Sequence, residues 1–258
     1  MDEGRKEVND LTICVLMCGG RGSRISAHSK ISNKITEKPL ILLNDKPMIE
    51  HILETLINSK KGFRIFAAVS SNTKETEAVI KRKYFKNVTV LKTNGNGYSE
   101  DFTSLVDHFL TKSYIREQLK KYPQDNIILE NQKHIKEDSK IIFLPTDLPL
   151  ISTDTIERIV ELKHKTPLIS IVIDKKIIVE NSFLPTSYTI KIDKKDYCYT
   201  GISVLETASF GTQKINLIGN QIEEEPIIFN DSELAYNINT IDDLKRTEEF
   251  LLKNKYRK

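Results

Sequence analysis

The sequence contains no tryptophan, and aromatic residues make up only 7% of its 258 residues. Its three cysteines, Cys14, Cys18 and Cys198, include no Cys-x-x-Cys pair, which argues against a zinc site and favours reduced thiols. No apolar run reaches the roughly 18 residues that a membrane helix needs. The polar start, MDEGRKEVND, is also unlike a signal peptide. From these absences we expect a cytoplasmic protein without a membrane span.

The excess of positive over negative charge is also small. Lysine and arginine number 39 and aspartate and glutamate 36, so the net charge is +3. Such a balance does not indicate a nucleic-acid partner, because binding a polyanion depends on a strong positive field. The positive charge is instead concentrated between residues 18 and 39, which hold one acid, Glu37, and five bases: Arg21, Arg24, Lys30, Lys34 and Lys38.

Short apolar runs alternate with segments of helical period along most of the chain. The runs predict strands at Thr12–Met17, Arg64–Ser70, Val88–Lys92, Lys140–Leu144, Leu168–Ile173, Gly201–Leu205 and Ile227–Phe229. The periodic segments predict a helix after Pro47 and others at Thr73–Tyr84, Ser99–Leu110, Thr153–Lys163 and Ile241–Lys253. The predicted N-caps of the second, fourth and fifth helices are Asn72, Ser152 and Thr240.

Repeated strand–helix units predict an α/β protein with a mostly parallel central sheet that helices cover on both faces. We find no internal repeat and no linker long enough to separate domains, so we expect one domain over residues 1–258. Polar, aperiodic stretches at about 112–139 and 174–198 are expected to be surface insertions.

The most informative segment directly follows the first predicted strand. We call Cys18-Gly19-Gly20-Arg21-Gly22-Ser23-Arg24 the glycine loop. It lacks the Lys-Ser/Thr pair of a Walker A motif and the third glycine of a dinucleotide fingerprint. Glycines let successive N–H groups point at one anion, and arginine adds a charged fork that suits phosphate oxygens. A flexible solvated loop is the alternative, but the position after a strand and the local excess of bases favour a polyphosphate site.

Two further segments carry polar groups to places where a nucleotide or metal could bind. Asp147 follows a predicted strand in LPTDLPL, and a carboxylate there could hold the Mg²⁺ that accompanies a triphosphate. The plainer interpretation is a turn aspartate between two prolines. Near the end of the chain, helix capping explains Thr240 and the acids after it, but not Asn237 and Asn239, whose amide oxygens could contact a metal or ribose.

Taken together, these motifs resemble a known family. G-G-x-G-[ST]-R followed by Lys-Pro, then L-x-x-D-x-P and a late N-I-N-T-x-x-D-L, is similar to the MobA-like nucleotidyltransferase superfamily. Within it, the segments TNGNGYSED (93–101) and ELAYNINT (233–240) most resemble the archaeal GTP:adenosylcobinamide-phosphate guanylyltransferases. Cys18 and Ser23 depart mildly from the alanine and threonine that are usual in the superfamily.

The resemblance implies a Rossmann-like, three-layer α/β/α nucleotidyltransferase domain and roles for particular residues. Arg24, Lys38 and Asp147 would be catalytic, with Asp147 and Asn239 as ligands of Mg²⁺. The other residues implied in binding are Gly19, Gly20, Arg21, Gly22 and Ser23 for the triphosphate, Thr93, Asn94 and Gly95 near the base, and Gly201 on the acceptor side.

The implied reaction transfers GMP from GTP to the phosphate of adenosylcobinamide phosphate, a step of cobalamin biosynthesis that releases pyrophosphate. The partners would thus be GTP and a phosphorylated corrinoid, and the sequence leaves a homodimer possible. Three alternatives stay open: a molybdenum-cofactor guanylyltransferase, a sugar-1-phosphate nucleotidyltransferase, and a nucleotide-binding regulatory module without turnover. The presence of both Lys38 and Asp147 argues against the last.

Overall fold

The computed structural model describes residues 12–20, 22, 25, 30–31, 34–35, 37–110, 140–186, 188–206 and 223–255. Within these residues the strands are β1 (Ile13–Met17), β2 (Lys30–Ile31), β3 (Lys34–Ile35), β4 (Leu42–Leu43), β5 (Lys46–Pro47), β6 (Arg64–Val69), β7 (Val88–Lys92), β8 (Lys140–Pro145), β9 (Leu168–Asp174), β10 (Thr189–Ile192), β11 (Lys195–Glu206) and β12 (Glu224–Ile228). The helices are α1 (Met48–Ile57), α2 (Lys74–Lys83), α3 (Tyr98–Leu110), α4 (Thr153–Val160), α5 (Lys175–Glu180) and α6 (Ile241–Lys255), with 3-10 turns at Lys38–Leu40 and Ser232–Ala235.

The central sheet has the strand order β12-β9-β11-β8-β1-β6-β7, and β10 pairs with β11 at the side of this path. Strands β8, β1, β6 and β7 are parallel to one another, and β12 is parallel to β9. Strand β11 runs antiparallel to both β8 and β9. The predicted mostly parallel sheet is therefore confirmed, with β11 as the strand that reverses direction.

Helices cover both faces of this sheet, and the side chains of β1 show how. Cys14 and Leu16 pack on one face, in the core that includes buried residues of α1, α2, α4 and α5. Ile13 and Val15 point to the opposite face and pack with buried residues of α3. This alternation is the two-residue period of a strand that is buried on both sides. The predicted three-layer α/β/α arrangement follows directly from it.

Most element boundaries agree with the sequence analysis to within about three residues, but β11 begins at Lys195 rather than at the predicted Gly201. Ser152 caps α4 as predicted, since its Oγ accepts the N–H of Thr155 at 3.2 Å, although the helix ends at Val160 rather than Lys163. The stretch 174–198 contains α5, β10 and the start of β11. The stretch 112–139 lies outside the described residues. In the part of the chain that the structure describes, no helix is both long and apolar enough to cross a membrane.

Candidate active site

Four parallel strands end side by side at one edge of the sheet. Met17 of β1 is in register with Pro145 of β8 on one side and with Ala68 of β6 on the other. The segments that follow β1, β6, β7 and β8 therefore emerge at the same edge. This is the place where open α/β sheets bind ligands, because the chain turns away there and leaves a crevice.

A cavity of about 460 Å³ opens at this edge. Its lining includes residues from the glycine loop, from the segment 95–101, from the end of β8 and from the approach to α6. The polar or glycine residues among them are Gly19, Gly20, Gly22, Lys38, Gly95, Asn96, Gly97, Tyr98, Asp101, Thr146, Asp147 and Asn239. Three predicted site residues that are far apart in sequence, Lys38, Asp147 and Asn239, thus share one cavity with the glycine loop.

Lys38, Asp147 and Asn239 are in direct contact. The Lys38 Nζ donates to Asp147 Oδ2 at 2.8 Å and to Asn239 Oδ1 at 3.0 Å. The side chains of Lys38 and Asp147 are only 14% and 19% exposed, so solvent screens this ion pair less than it would a surface pair. A fixed ammonium group in a crevice beside a glycine loop is a suitable partner for a phosphate oxygen.

Backbone contacts fix the position of Asn239. The N–H of Ile238 donates to the carbonyl of Asp147 at 2.8 Å, which ties the approach to α6 to the end of β8. Asp243 in the first turn of α6 accepts the N–H groups of Asn239 and Thr240, while Thr240 Oγ1 accepts the N–H of Asp243. This reciprocal pair confirms Thr240 as the helix cap.

Asn237 supports the same group from the other side. Its Oδ1 accepts a hydrogen bond from Asn239 Nδ2 at 2.6 Å, so the amide oxygen of Asn239 is turned toward Lys38. The two asparagines that helix capping could not explain are therefore a residue in the cavity and the residue that orients it.

Asp147 also has a group without a protein partner. Its second carboxylate oxygen, Oδ1, is buried and accepts no hydrogen bond from any residue that the structure describes. A buried carboxylate oxygen is costly unless a hydrogen-bond donor or a cation satisfies it. Over the described ranges, no cluster of three or more His, Cys, Asp or Glu side chains could hold a metal ion by itself.

Ser70 and Asn72, which follow β6, connect the glycine loop to the segment after β7. Ser70 Oγ donates to the carbonyl of Gly19 at 2.8 Å, and Asn72 Nδ2 donates to the carbonyl of Gly95 at 3.0 Å. The prediction of Asn72 as an N-cap is therefore wrong. Helix α2 begins at Lys74, and the amide of Asn72 is used between loops instead. The sequence could not show this, since N-caps and loop contacts favour the same residue types.

Gly95 must be a glycine at this junction. Its backbone has φ of +73°, and a Cβ on it would lie 2.5 Å from Ser70 Oγ and 2.6 Å from Asn72 Nδ2. A similar restriction applies to Gly19, where a Cβ would lie 2.9 Å from both Asp101 Oδ2 and Thr93 Oγ1. These two glycines allow the two loops to approach closely.

Sequence reasoning did not select Asp101, in the first turn of α3, as a site residue. Its side chain lines the cavity and is only 3% exposed, and its Oδ1 accepts the N–H of Gly95 at 3.0 Å. The helix dipole alone can account for an acid in a first turn, so the pattern gave no reason to select it. Only the packing of α3 against the glycine loop identifies it as part of the site.

The other predicted site residues do not belong to the set of described residues that line the cavity. Asn94 is exposed, and neither it nor Thr93 lines the cavity, although Thr93 lies against Gly19. Gly201, with φ of +81°, accepts a hydrogen bond from the cavity residue Tyr98 at 2.6 Å. The remaining predicted residues, Arg21, Ser23 and Arg24, lie outside the described residues.

Cys18 lies in the cavity wall but is not a candidate nucleophile. Its side chain is 1% exposed, and burial raises the pKa of its thiol, so the thiol stays protonated at neutral pH. The charged and polar groups that meet in this cavity beside the glycine loop are Lys38, Asp147 and Asn239.

A Rossmann-like sheet with a glycine loop after its first strand, and a lysine–carboxylate pair across the cavity, defines a nucleotidyltransferase. The chain matches the family described as the MobA-like NTP transferase domain over residues 14–246, and it belongs to that family. The superfamily predicted from the motifs is thereby confirmed, and the protein is a transferase enzyme.

One curated relative matches this chain along nearly its whole length. The chain is 28% identical over 246 residues to the adenosylcobinamide-phosphate guanylyltransferase of Methanocaldococcus jannaschii. The match covers 93% of this chain and 97% of that protein.

Solved structures of nucleotidyltransferases share the fold. One is 4-diphosphocytidyl-2C-methyl-D-erythritol synthase from Anaerococcus prevotii, with a TM-score of 0.52 and 11% identity, covering 95% of this chain and 99% of that one. Another is CMP:2-keto-3-deoxy-manno-octonic acid synthetase complexed with CTP, with a TM-score of 0.51 and 12% identity over the same shares. At these identities the likeness concerns the fold alone.

Proposed function

We propose that this protein transfers GMP from GTP to the phosphate of adenosylcobinamide phosphate and releases pyrophosphate. The observation that carries the proposal is the contact of Lys38 with Asp147 and Asn239 inside a cavity that the glycine loop borders. A nucleotidyl transfer needs a cation beside the α-phosphate and a carboxylate for the metal, and these side chains provide both.

The glycine loop is proposed to hold the triphosphate. The backbone of Gly19, Gly20 and Gly22 lines the cavity, and these glycines have no Cβ atoms to keep their N–H groups away from phosphate oxygens. Arg21, Ser23 and Arg24 belong to the same loop in sequence, and their charge and hydroxyl groups suit the β- and γ-phosphates.

Asp147 and Asn239 are proposed to hold Mg²⁺. Among the described residues, none donates a hydrogen bond to the buried Oδ1 of Asp147, and Asn239 lines the same cavity. Both side chains thus offer oxygen atoms that suit a hard cation. Mg²⁺ bound there would neutralise negative charge on the phosphates and orient them. Magnesium usually keeps several waters and takes only one or two carboxylates from a protein, so the carboxylate of Asp147 with one amide oxygen is a sufficient set of protein ligands.

The chemistry needs no general base. The acceptor phosphate is already ionised at neutral pH; one of its oxygens forms a bond to the α-phosphorus, and the bond from that phosphorus to the bridging oxygen of pyrophosphate breaks. The residues therefore act by position and charge: Lys38 stabilises negative charge that develops at the α-phosphate, and the loop N–H groups hold the leaving pyrophosphate. A buried, protonated Cys18 in the wall is consistent with direct transfer without a covalent enzyme intermediate.

The corrinoid acceptor is supported by the name of the Methanocaldococcus jannaschii relative, which aligns along nearly the whole chain. Gly201 is proposed to lie on the acceptor side. It is joined to the cavity by the hydroxyl of Tyr98, whose ring stacks on Phe102 with their centroids 6.1 Å apart.

Pyrophosphate release with different acceptors tests the proposal. The full chain with Mg²⁺ and GTP is expected to release pyrophosphate with adenosylcobinamide phosphate and not with molybdopterin or sugar 1-phosphates. Turnover only with molybdopterin or a sugar phosphate would replace the corrinoid by that acceptor. Binding of GTP without turnover on any acceptor would instead indicate a regulatory nucleotide-binding module.

A further inference from the structure

The carboxylate of Asp101 lines the cavity but takes no part in the proposed phosphate transfer. The side chain is 3% exposed and lines the cavity, yet only one of its oxygens has a partner among the residues that the structure describes: Oδ1 accepts the N–H of Gly95. Across the described part of the chain, no residue donates a hydrogen bond to Oδ2. That oxygen lies 2.9 Å from where a Cβ of Gly19 would be, at the glycine-loop wall of the cavity.

A buried carboxylate whose second oxygen lies in a ligand cavity discriminates between the chemical groups that a ligand presents to it. It repels phosphate, because both are anions, and it is satisfied by a cation or by groups that donate hydrogen bonds. In GTP those groups are the N1–H and 2-amino group of guanine and the hydroxyls of ribose. The guanine edge presents two adjacent donors, and an ionised carboxylate, which only accepts, complements them. Adenine has an unprotonated N1 at the same place.

The way Asp101 is held supports a role in selecting the base. Its backbone N–H donates to the carbonyl of Gly97. The hydrogen bond that its Oδ1 accepts from Gly95 joins the first turn of α3 to the loop after β7. Gly95 is in turn held by Asn72. The carboxylate is therefore fixed from two sides, so its Oδ2 has a defined direction before any ligand binds. A fixed acceptor discriminates between bases better than a mobile one, since it cannot turn away from a mismatched edge.

We propose that Asp101 is the residue that selects guanine, with its carboxylate accepting hydrogen bonds from the guanine N1–H and 2-amino group. This inference rests on the proposed function, in which GTP is the donor. It adds a specificity-determining residue that is separate from the Lys38, Asp147 and Asn239 cluster.

The substitution Asp101→Asn tests this role, because it changes one acceptor into a donor at nearly constant shape. The amide oxygen can keep the N–H of Gly95, which places the NH₂ group where Oδ2 was. That group opposes the 2-amino group of guanine but matches the 2-carbonyl of xanthine. The matched control is Glu100→Gln, which makes the same change of charge one residue away, on an exposed side chain that does not line the cavity.

Calorimetry of the full chain with Mg²⁺ and GTP, ITP, XTP or ATP measures the effect. The wild type should bind GTP best, ITP more weakly because it lacks the 2-amino group, and XTP and ATP poorly. Asp101→Asn should weaken GTP by at least about tenfold, strengthen XTP, and leave ATP nearly unchanged. Glu100→Gln should stay within about twofold of the wild type for each nucleotide.

Each result supports or overturns the assignment. Equal weakening of all four nucleotides by Asp101→Asn would mean a ribose contact or a structural role, and would overturn it. If that variant does not fold, the affinities of the wild type still test the assignment. Equal affinity for GTP and ITP, or tight binding of XTP, is incompatible with a carboxylate on the guanine edge. A wild type that prefers another base would overturn the proposed function as well, whereas a GTP preference that Asp101→Asn leaves intact overturns only this inference.

Discussion

Glu37 caps helix α2 from 39 residues away: its Oε2 accepts both the backbone N–H of Thr76 at 2.7 Å and the hydroxyl of Thr76 at 2.6 Å. Its other oxygen accepts the N–H of Glu75 at 2.8 Å. The residue in the N-cap position, Thr73, makes no side-chain cap hydrogen bond. A carboxylate at a helix N-terminus satisfies free N–H groups and complements the helix dipole. Because Glu37 directly precedes Lys38, the same contact fixes the backbone that carries the lysine of the cavity.

Removing this cap should affect both stability and turnover. Glu37→Ala is expected to lower the free energy of unfolding by about 1 kcal/mol, as loss of a helix cap does. It should also lower kcat while changing the KM for GTP less, since Lys38 would be less firmly positioned. Glu37→Gln retains one acceptor oxygen and should restore part of both losses.

A double-mutant cycle with Thr76→Val checks the mechanism. That substitution removes only the hydroxyl bond, so its effect should be smaller than that of Glu37→Ala and should not add to it. Fully additive effects on unfolding would show that Glu37 stabilises the protein through some other contact.

Lys38→Ala and Asp147→Ala should each reduce turnover by roughly 100- to 1,000-fold, the usual effect of losing one electrostatic contact to the transition state. Initial rates of pyrophosphate release at saturating substrates measure this, and circular dichroism shows whether the fold is kept. Lys46→Ala and Asp154→Ala serve as controls, because they remove members of exposed ion pairs outside the cavity. Near-wild-type rates for either cavity variant would refute its catalytic role.

Gly95→Ala should destabilise the protein more than Gly62→Ala. Both residues have φ near +70°, so each substitution costs about 1 to 2 kcal/mol for the left-handed backbone. Only at Gly95 does the new methyl group also collide with Ser70 and Asn72; a Cβ at Gly62 meets nothing within 4 Å. Urea unfolding of both variants separates the two costs. Equal losses would show that the loop contact at Gly95 relaxes freely.

His108 should make stability depend on pH in the acid range. Burial lowers its pKa to about 3 in the folded protein, from an ordinary value near 6.5. Above about pH 6.5 the imidazole is neutral in both states, so it has no effect there. As the pH falls from 6.5 toward 3, only the unfolded chain takes up the proton, and stability falls.

The variant His108→Leu removes this dependence. Between pH 7.5 and 5 the wild type should therefore lose about 1 to 2 kcal/mol of unfolding free energy relative to the variant. Urea titrations at several pH values measure the difference. Parallel curves for the two proteins would show that His108 is protonated in the folded state.

The three cysteines should be unreactive in the folded protein. Cys14, Cys18 and Cys198 are all at most 1% exposed, and burial raises the pKa of each thiol. Mass spectrometry after brief maleimide treatment should find no label on the native protein and three labels in denaturant. Rapid labelling of Cys18 without denaturant would mean that the cavity wall opens.

The sequence by itself determined the parts of this protein that depend on local chemistry. Apolar period and turn residues were sufficient to locate most strands and helices, and the position of the glycine loop after β1 placed it at the ligand-binding edge. The position of Asp147 at this edge was expected for the same reason, since it closely follows β8, which lies beside β1. Ser152 and Thr240 were identified as caps because a cap acts within its own first turn.

Only the tertiary structure decided the contacts between segments that are distant in the chain. Lys38 meets Asp147 across 109 residues and Asn239 across 201, and Glu37 caps a helix that Asn72 was expected to cap. Asp101 reaches the cavity wall through the packing of α3 against the glycine loop. Such contacts depend on which surfaces the sheet brings together, and neither periodicity nor residue type within one segment contains that information. The physical reason is that a hydrogen bond or charge pair is selected by its geometry in the folded chain, whereas local patterns record only the conformations that each segment prefers.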